Sequence, residues 1–184
     1  MGILCFVLLT WVSAGLGWAA DSPLIAAAKA GKVATATKLL AAGADVDTPD
    51  GENLTPLNWA AYNGHLAVVT VLVQHGAKVD TQTNKSGWTP LMNASAQGFP
   101  KVVAFLLDHS ANTSAHSKDG GYTPLMYAAR KGKKDIVLLL LAHEAKVNDI
   151  DDTKRTALDF AGYQHNRSID AVLIAAGGKH GKEL

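Results

Sequence analysis

The chain has 184 residues, with 17 basic against 16 acidic side chains and a formal net charge of +1, so no overall charge bias recruits nucleic acid. Hydrophobic residues make up 48% and charged residues 18%, enough apolar material for a folded core and far from the composition of disorder. The single cysteine, Cys5, excludes a disulfide framework, Cys-based zinc fingers and Cys-x-x-Cys redox chemistry.

Residues 1–20 carry no charged side chain, and Ile3 to Val12 is almost continuously apolar before Ser13, Ala14, Gly15 and Gly17. Gly17 and Ala19 place small residues where a signal peptidase needs them, so residues 1–19 read as an export signal that is cleaved near Ala20, discarding Cys5. No Lys or Arg precedes the apolar run, which departs from the usual signal. The competing reading is an uncleaved membrane anchor. Cleavage predicts a thiol-free protein that leaves the membrane for a bacterial periplasm or the medium.

Beyond residue 20 one short string recurs: Ser22-Pro23-Leu24, Thr55-Pro56-Leu57, Thr89-Pro90-Leu91, Thr123-Pro124-Leu125 and Thr156-Ala157-Leu158, at intervals of 33, 34, 34 and 33. Nine residues after each Ser or Thr stand Gly31, Gly64, Gly98, Gly132 and, in the last copy, His165. Thr55 is a good helix N-cap and Pro56 belongs at the first helical position, where its missing N–H costs nothing. Gly64 suits the left-handed residue that closes a helix. An apolar run then marks a second helix in every copy, for example Val68-Val69 with Leu72 and Val102-Val103 with Leu106-Leu107. Helices this short do not persist alone in water, so the units must stack, and alanine pairs such as Ala60-Ala61 and Ala128-Ala129 permit close approach.

This string resembles the ankyrin repeat, whose hallmark is Thr-Pro-Leu-His-x-Ala-Ala-x-x-Gly-His, and residues Thr55 to His65 match it with Asn58 in place of the first His. The resemblance implies an all-α solenoid of five helix-turn-helix units with β-hairpin-like loops and a concave binding surface. The repeat domain covers 20–178, with copies at about 21–50, 51–84, 85–118, 119–151 and 152–178, followed by a tail at 179–184. The fifth copy reads as a cap, because Ala157 replaces Pro, Asp159 replaces His, and His165-Asn166 replace Gly-His. The residue closing the second helix is Gly43, Gly76 or Gly177 in three copies but Ser110 and Glu144 in the others. The resemblance gives His65 a structural part in tying loops together.

The search for chemistry finds no Gly-x-Ser-x-Gly elbow, phosphate loop or His-Glu-x-x-His, so the expectation is a non-enzymatic protein with no cofactor and no metal. Asp149, Asp151 and Asp152 cluster in the last inter-repeat loop; they read either as solvated residues or as a weak cation site serving a metal-dependent or enzymatic function. His75, His109 and His143 share one register position in the last turn of the second helix. They suit the negative end of a helix dipole, or they form a pH-sensitive ladder. Repeat register points Leu138 outward.

Two rows of residues mark where a protein partner docks, because in ankyrin proteins contacts come from the loop tips and the exposed side of the first helix. The residues before each Thr are Leu54, Trp88, Tyr122 and Arg155. Near the end of the first helix stand Tyr62 and Asn63, Ala96 and Gln97, Arg130 and Lys131, then Tyr163 and Gln164. Trp, Tyr and Arg dominate binding hot spots, so Leu54, Tyr62, Trp88, Tyr122, Arg130, Lys131 and Arg155 are the expected partner-binding set. The opposing reading has the aromatics lying flat on neighbouring loops. Lys133 and Lys134 either extend a basic patch or are simply solvated. The functional expectation is a monomeric, exported interaction module for a protein partner; secretion to act on a host or competing cell is the second reading. Sequons at Asn53, Asn84, Asn93, Asn112 and Asn166, one of them inside a predicted helix, argue against a eukaryotic secretory route.

Overall fold

The computed structural model describes residues 21–163 and 167–184. The expected export signal, Gln164, His165, the Asn166 sequon and the side chain of Tyr163 lie outside the described residues. Among the described residues ten α-helices form five pairs: α1 (Pro23–Lys29) with α2 (Val33–Ala41), α3 (Pro56–Tyr62) with α4 (Leu66–Gln74), α5 (Pro90–Gln97) with α6 (Pro100–Asp108), α7 (Pro124–Arg130) with α8 (Lys134–Ala142), and α9 (Ala157–Tyr163) with α10 (Arg167–Ala175). The odd-numbered helices pack on one another in sequence as one layer and the even-numbered helices as a second. No strand is present among the described residues.

The helix starts follow from the repeated string. The hydroxyls of Ser22, Thr55, Thr89 and Thr123 accept from the N–H groups of Ile25, Asn58, Met92 and Met126 at 3.2–3.3 Å, with a proline opening each helix. The fourth residue of the string varies, and Asn58 and Asp159 use it to cap: their side-chain oxygens accept from Thr55 N–H at 3.0 Å and Thr156 N–H at 2.8 Å. Gly64 closes α3 at φ +74°, and a second constraint acts there, because a methyl group would lie 2.5 Å from the Phe99 ring of the next repeat. His65 makes the equivalent contact one repeat earlier: its ring lies against Gly31 and its Nε2 is 3.1 Å from the Lys29 carbonyl. The structural part expected of His65 is thereby located between the first two units.

The core is a continuous column, in which Leu57, Leu91 and Leu125 between the first helices meet Val68, Val69, Val102, Val103, Ile136 and Val137 from the second layer, all at most 1% exposed. Burying each such side chain contributes about 1.5–3 kcal/mol, which is what holds seven- and nine-residue helices that could not persist alone. The second helices close as expected: Gly43, Gly76 and Gly177 lie at φ +87°, +86° and +83°, and Ser110 and Glu144 are forced to +63° and +60°.

The loops between units account for the intervals of 33, 34, 34 and 33 residues. A polar side chain at the loop's start, half-buried in Asp50 and buried in the other three, accepts from the N–H of the residue preceding the next Thr: Asp50 from Leu54 and Asp151 from Arg155 across four residues, Thr83 from Trp88 and Ser117 from Tyr122 across five. The extra residue therefore sits inside the two longer loops. Backbone bonds close each loop as well, as from Asp50 N–H to the Leu54 carbonyl at 3.0 Å, so the loops are hairpin-like in closure without regular strands. Successive loops are laced together by Asn84 N–H to Glu52 O, Lys118 N–H to Ser86 O and Asp152 N–H to Gly120 O.

The tail does more than the sequence suggested. Lys179 N–H donates to Asn148 Oδ1 at 2.8 Å, the same contact that Lys78 and Asn112 make with Asp47 and Asp80 in earlier repeats. Residues Gly181–Glu183 then form a 3-10 turn against α9. There Asp159 accepts from Gly181 N–H at 2.8 Å and pairs with His180 Nδ1 at 2.7 Å, and Thr156 Oγ1 donates to the Lys179 carbonyl at 2.7 Å. The tail thus continues the fifth unit's own closing loop, with Lys179 at the register of Lys78 and Asn112.

Candidate interaction surface

The row of residues preceding each Thr lines up along the loops as expected: Leu54, Trp88, Tyr122 and Arg155 are all half-buried. Beneath and between them runs a second row that sequence reasoning did not select, the fifth position of the four strings that begin with Thr, occupied by Trp59, Asn93, Tyr127 and Phe160. The two rows interleave. The Trp88 ring lies 4.4 Å from Tyr127, Tyr127 is 5.4 Å from Tyr122, and Tyr122 is 5.4 Å from Phe160, so one aromatic band crosses three repeats. Met92 and Ala96 pack beneath it with Tyr127 in a small cluster separate from the main core.

Cations and carboxylates pin this band in place. Lys29 Nζ sits 4.0 Å over the Trp59 ring, Arg155 lies 4.6 Å from the Phe160 ring centre, and Arg130 approaches Tyr122 at 5.9 Å. Asp119 accepts from Trp88 Nε1 at 3.2 Å and from the Tyr127 hydroxyl at 3.3 Å. Burial, with Asp119 beside it, holds the Tyr127 hydroxyl protonated far above its ordinary range. Asp50 takes the Trp59 indole N–H at 2.9 Å; burial alone would raise its carboxyl, but the donors Leu54 N–H, Trp59 and Glu52 N–H outweigh that and lower it. Tyr127 and Phe160 are thereby buried, at 4% and 3% exposure, while Trp88 and Tyr122 make tilted and edge-on ring contacts and stay half-exposed.

Of the remaining expected site residues, Tyr62 is 41% exposed at the end of α3, 6.0 Å from Trp59, and Arg130 and Lys131 are exposed at the end of α7. Arg155 is bound to the Asp151 carboxylate through Nε and Nη2 at 2.9 and 2.7 Å and donates to the Tyr122 hydroxyl oxygen at 3.2 Å. Lys133 is half-buried, its side chain lying against Gly98, whereas Lys134 is exposed. Leu138 is 45% exposed on the outer layer.

The acidic loop has a local use. Asp151, 4% exposed, accepts from the N–H and hydroxyl of Thr153 and from the N–H and guanidinium of Arg155. Burial would raise its carboxyl, and these donors together lower it. Among the described residues no three His, Cys, Asp or Glu side chains converge as a metal site. The ring Nδ1 atoms of His75 and His109 lie 2.8 Å from the carbonyls of Val71 and Phe105 one turn back, which fits a side chain serving a helix end. Asn93, the sequon expected to be inside a helix, is in α5 and 4% exposed.

A family model described as ankyrin repeats (3 copies) matches the chain three times, over residues 24–119, 80–151 and 109–182. No curated protein matches it significantly.

Proposed function

Since the chain belongs to the ankyrin-repeat family, whose stacks generally serve as protein–protein interaction modules and are typically non-enzymatic, we propose that it is an exported, monomeric scaffold that binds a protein partner on its concave side. The observation that carries this reading is the aromatic and cationic band: Trp59, Trp88, Tyr122, Arg130 and Arg155 come together from three loops and two first helices on one side of the stack. Tyr62, Leu54 and Lys131 border it. Because the band is held by inter-repeat bonds before any partner arrives, little conformational entropy is lost on binding. These residues are of the kinds that anchor interfaces, where about 2 kcal/mol or more rests on a few of them.

The reading of residues 1–19 as an export signal favours a periplasmic or secreted location; fractionation of cells and medium separates retention from release toward a host or competing cell. The partner-binding reading is tested by affinity capture from an extract of the native source with wild type and a Trp88→Ala, Tyr122→Ala double variant. The account expects a partner retained by the first and lost by the second. A double variant that melts normally and keeps full affinity refutes the assignment.

A further inference from the structure

Resting on the reading that the concave side binds protein, we propose that the cleft between the second and third repeats receives an acidic peptide segment that inserts one bulky apolar side chain. The cleft, of about 300 Å3, is lined by Leu54, Trp59, Tyr62, Trp88 and Asn93. That volume stands at the small end of ligand pockets and suits one side chain with its adjoining backbone. In the fifth-position row Trp59, Tyr127 and Phe160 fill their places with rings, and Asn93, which lines this cleft between Trp59 and Tyr127, does not.

Asn93 also states what the occupant must bring. It is 4% exposed, and its amide nitrogen Nδ2 has no hydrogen-bond partner. A buried donor without an acceptor is costly, so the matching ligand group is an oxygen, as in a peptide carbonyl. The rim ion pair of Glu52 with Lys85, at 2.8 Å, is neutral as a unit. Further along the same side, Arg130 and Lys131 are exposed, while the Asp119 carboxylate of the adjoining loop is taken up by Trp88 and Tyr127. Local charge therefore favours acidic residues on the repeat-four side of the inserted side chain.

Random dodecapeptides displayed on phage, selected on the immobilised full chain, test this. Enriched peptides are then measured by fluorescence polarisation against wild type and variants with intact thermal transitions. The expected consensus is a Leu, Phe or Trp beside Asp or Glu. Affinity should fall about thirty-fold in Trp88→Ala or Leu54→Glu, about five-fold in Asn93→Ala, and about ten-fold in Arg130→Glu. Leu54 lies at the half-buried rim, so its variant remains informative if the others unfold. A basic consensus, or one without a bulky apolar residue, overturns the proposal. Peptides whose binding is lost in Tyr122→Ala but unchanged in Leu54→Glu and Asn93→Ala overturn the cleft while leaving the concave reading standing. No enrichment at all overturns the peptide cleft, while the concave reading stands or falls on the capture experiment.

Discussion

Glu144→Gly should stabilise the stack by about 0.5–1 kcal/mol. Glu144 follows the C-cap of α8 at φ +60°, its N–H donating to Leu141 O at 3.1 Å, while Ala145 N–H reaches back to Leu140 O at 3.0 Å. That closure fixes the left-handed conformation whatever residue is present, and an L side chain in it costs roughly 1–2 kcal/mol. An exposed carboxylate at the negative helix end adds about 0.3 kcal/mol or more. Glycine returns part of the gain through its freer unfolded state, about 0.5–1 kcal/mol. The equivalent Gly43, Gly76 and Gly177 show that the fold accepts glycine there with no lost contact, since nothing lies within 4 Å of the missing methyl. For a domain of this size the melting temperature should rise by about 1–4 °C, read by circular dichroism alongside a urea titration. Glu144→Gln isolates the charge and should give only a few tenths of a kcal/mol, about the lower bound of the dipole effect. Ser110→Gly isolates the backbone and should give most of the effect. A lowered melting temperature for Glu144→Gly refutes the argument.

Gly64→Ala should destabilise by about 2–3 kcal/mol, because strain at φ +74° adds to a 2.5 Å approach to Phe99, whereas Gly76→Ala meets no neighbour and should cost about 1 kcal/mol; equal losses would show that the Phe99 contact does not matter. Asp50, Asp151 and Asp159 have folded carboxyls below the ordinary 3.8, so the unfolded chain takes up protons first as pH falls. Their stabilisation is fully present above about pH 5 and is lost as pH drops through 3.8 and below, a decline in urea midpoint that Asp159→Asn should flatten; a midpoint that rises on acidification would reverse the sign. Asn148→Ala removes two of the side-chain bonds that hold the tail, to Gly177 O and Lys179 N–H, and should speed tryptic trimming after Lys179 by about five- to ten-fold, while an unchanged rate would mean that the Thr156 and Asp159 bonds hold the tail without it.

Much of the scaffold could be read directly from the chain because each repeat writes its boundaries in residues with a single physical meaning. Thr55-Pro56 can start a helix but not continue one, and Gly64 can end one. The register then brought Leu54, Trp88, Tyr122 and Arg155 into one row, where the structure places them. The fifth-position row escaped notice because Trp59, Tyr127 and Phe160 fall at a variable place in the string, and only the depth of the stack shows that these rings slot under the loop row. Asp159 read as a departure from the repeat, yet its carboxylate caps α9 as Asn58 caps α3. Its partners His180 and Gly181 lie more than twenty residues away, beyond any local pattern.

Amide hydrogen exchange of the full chain, free and bound to its captured partner, tests the central claim most directly. The account predicts new protection in residues 50–63, 83–97 and 117–131, which carry the loops and first helices, with little change across 66–74, 100–108 and 134–142. Protection confined to the second helices, around the exposed Leu138, would place the partner on the opposite face and contradict it.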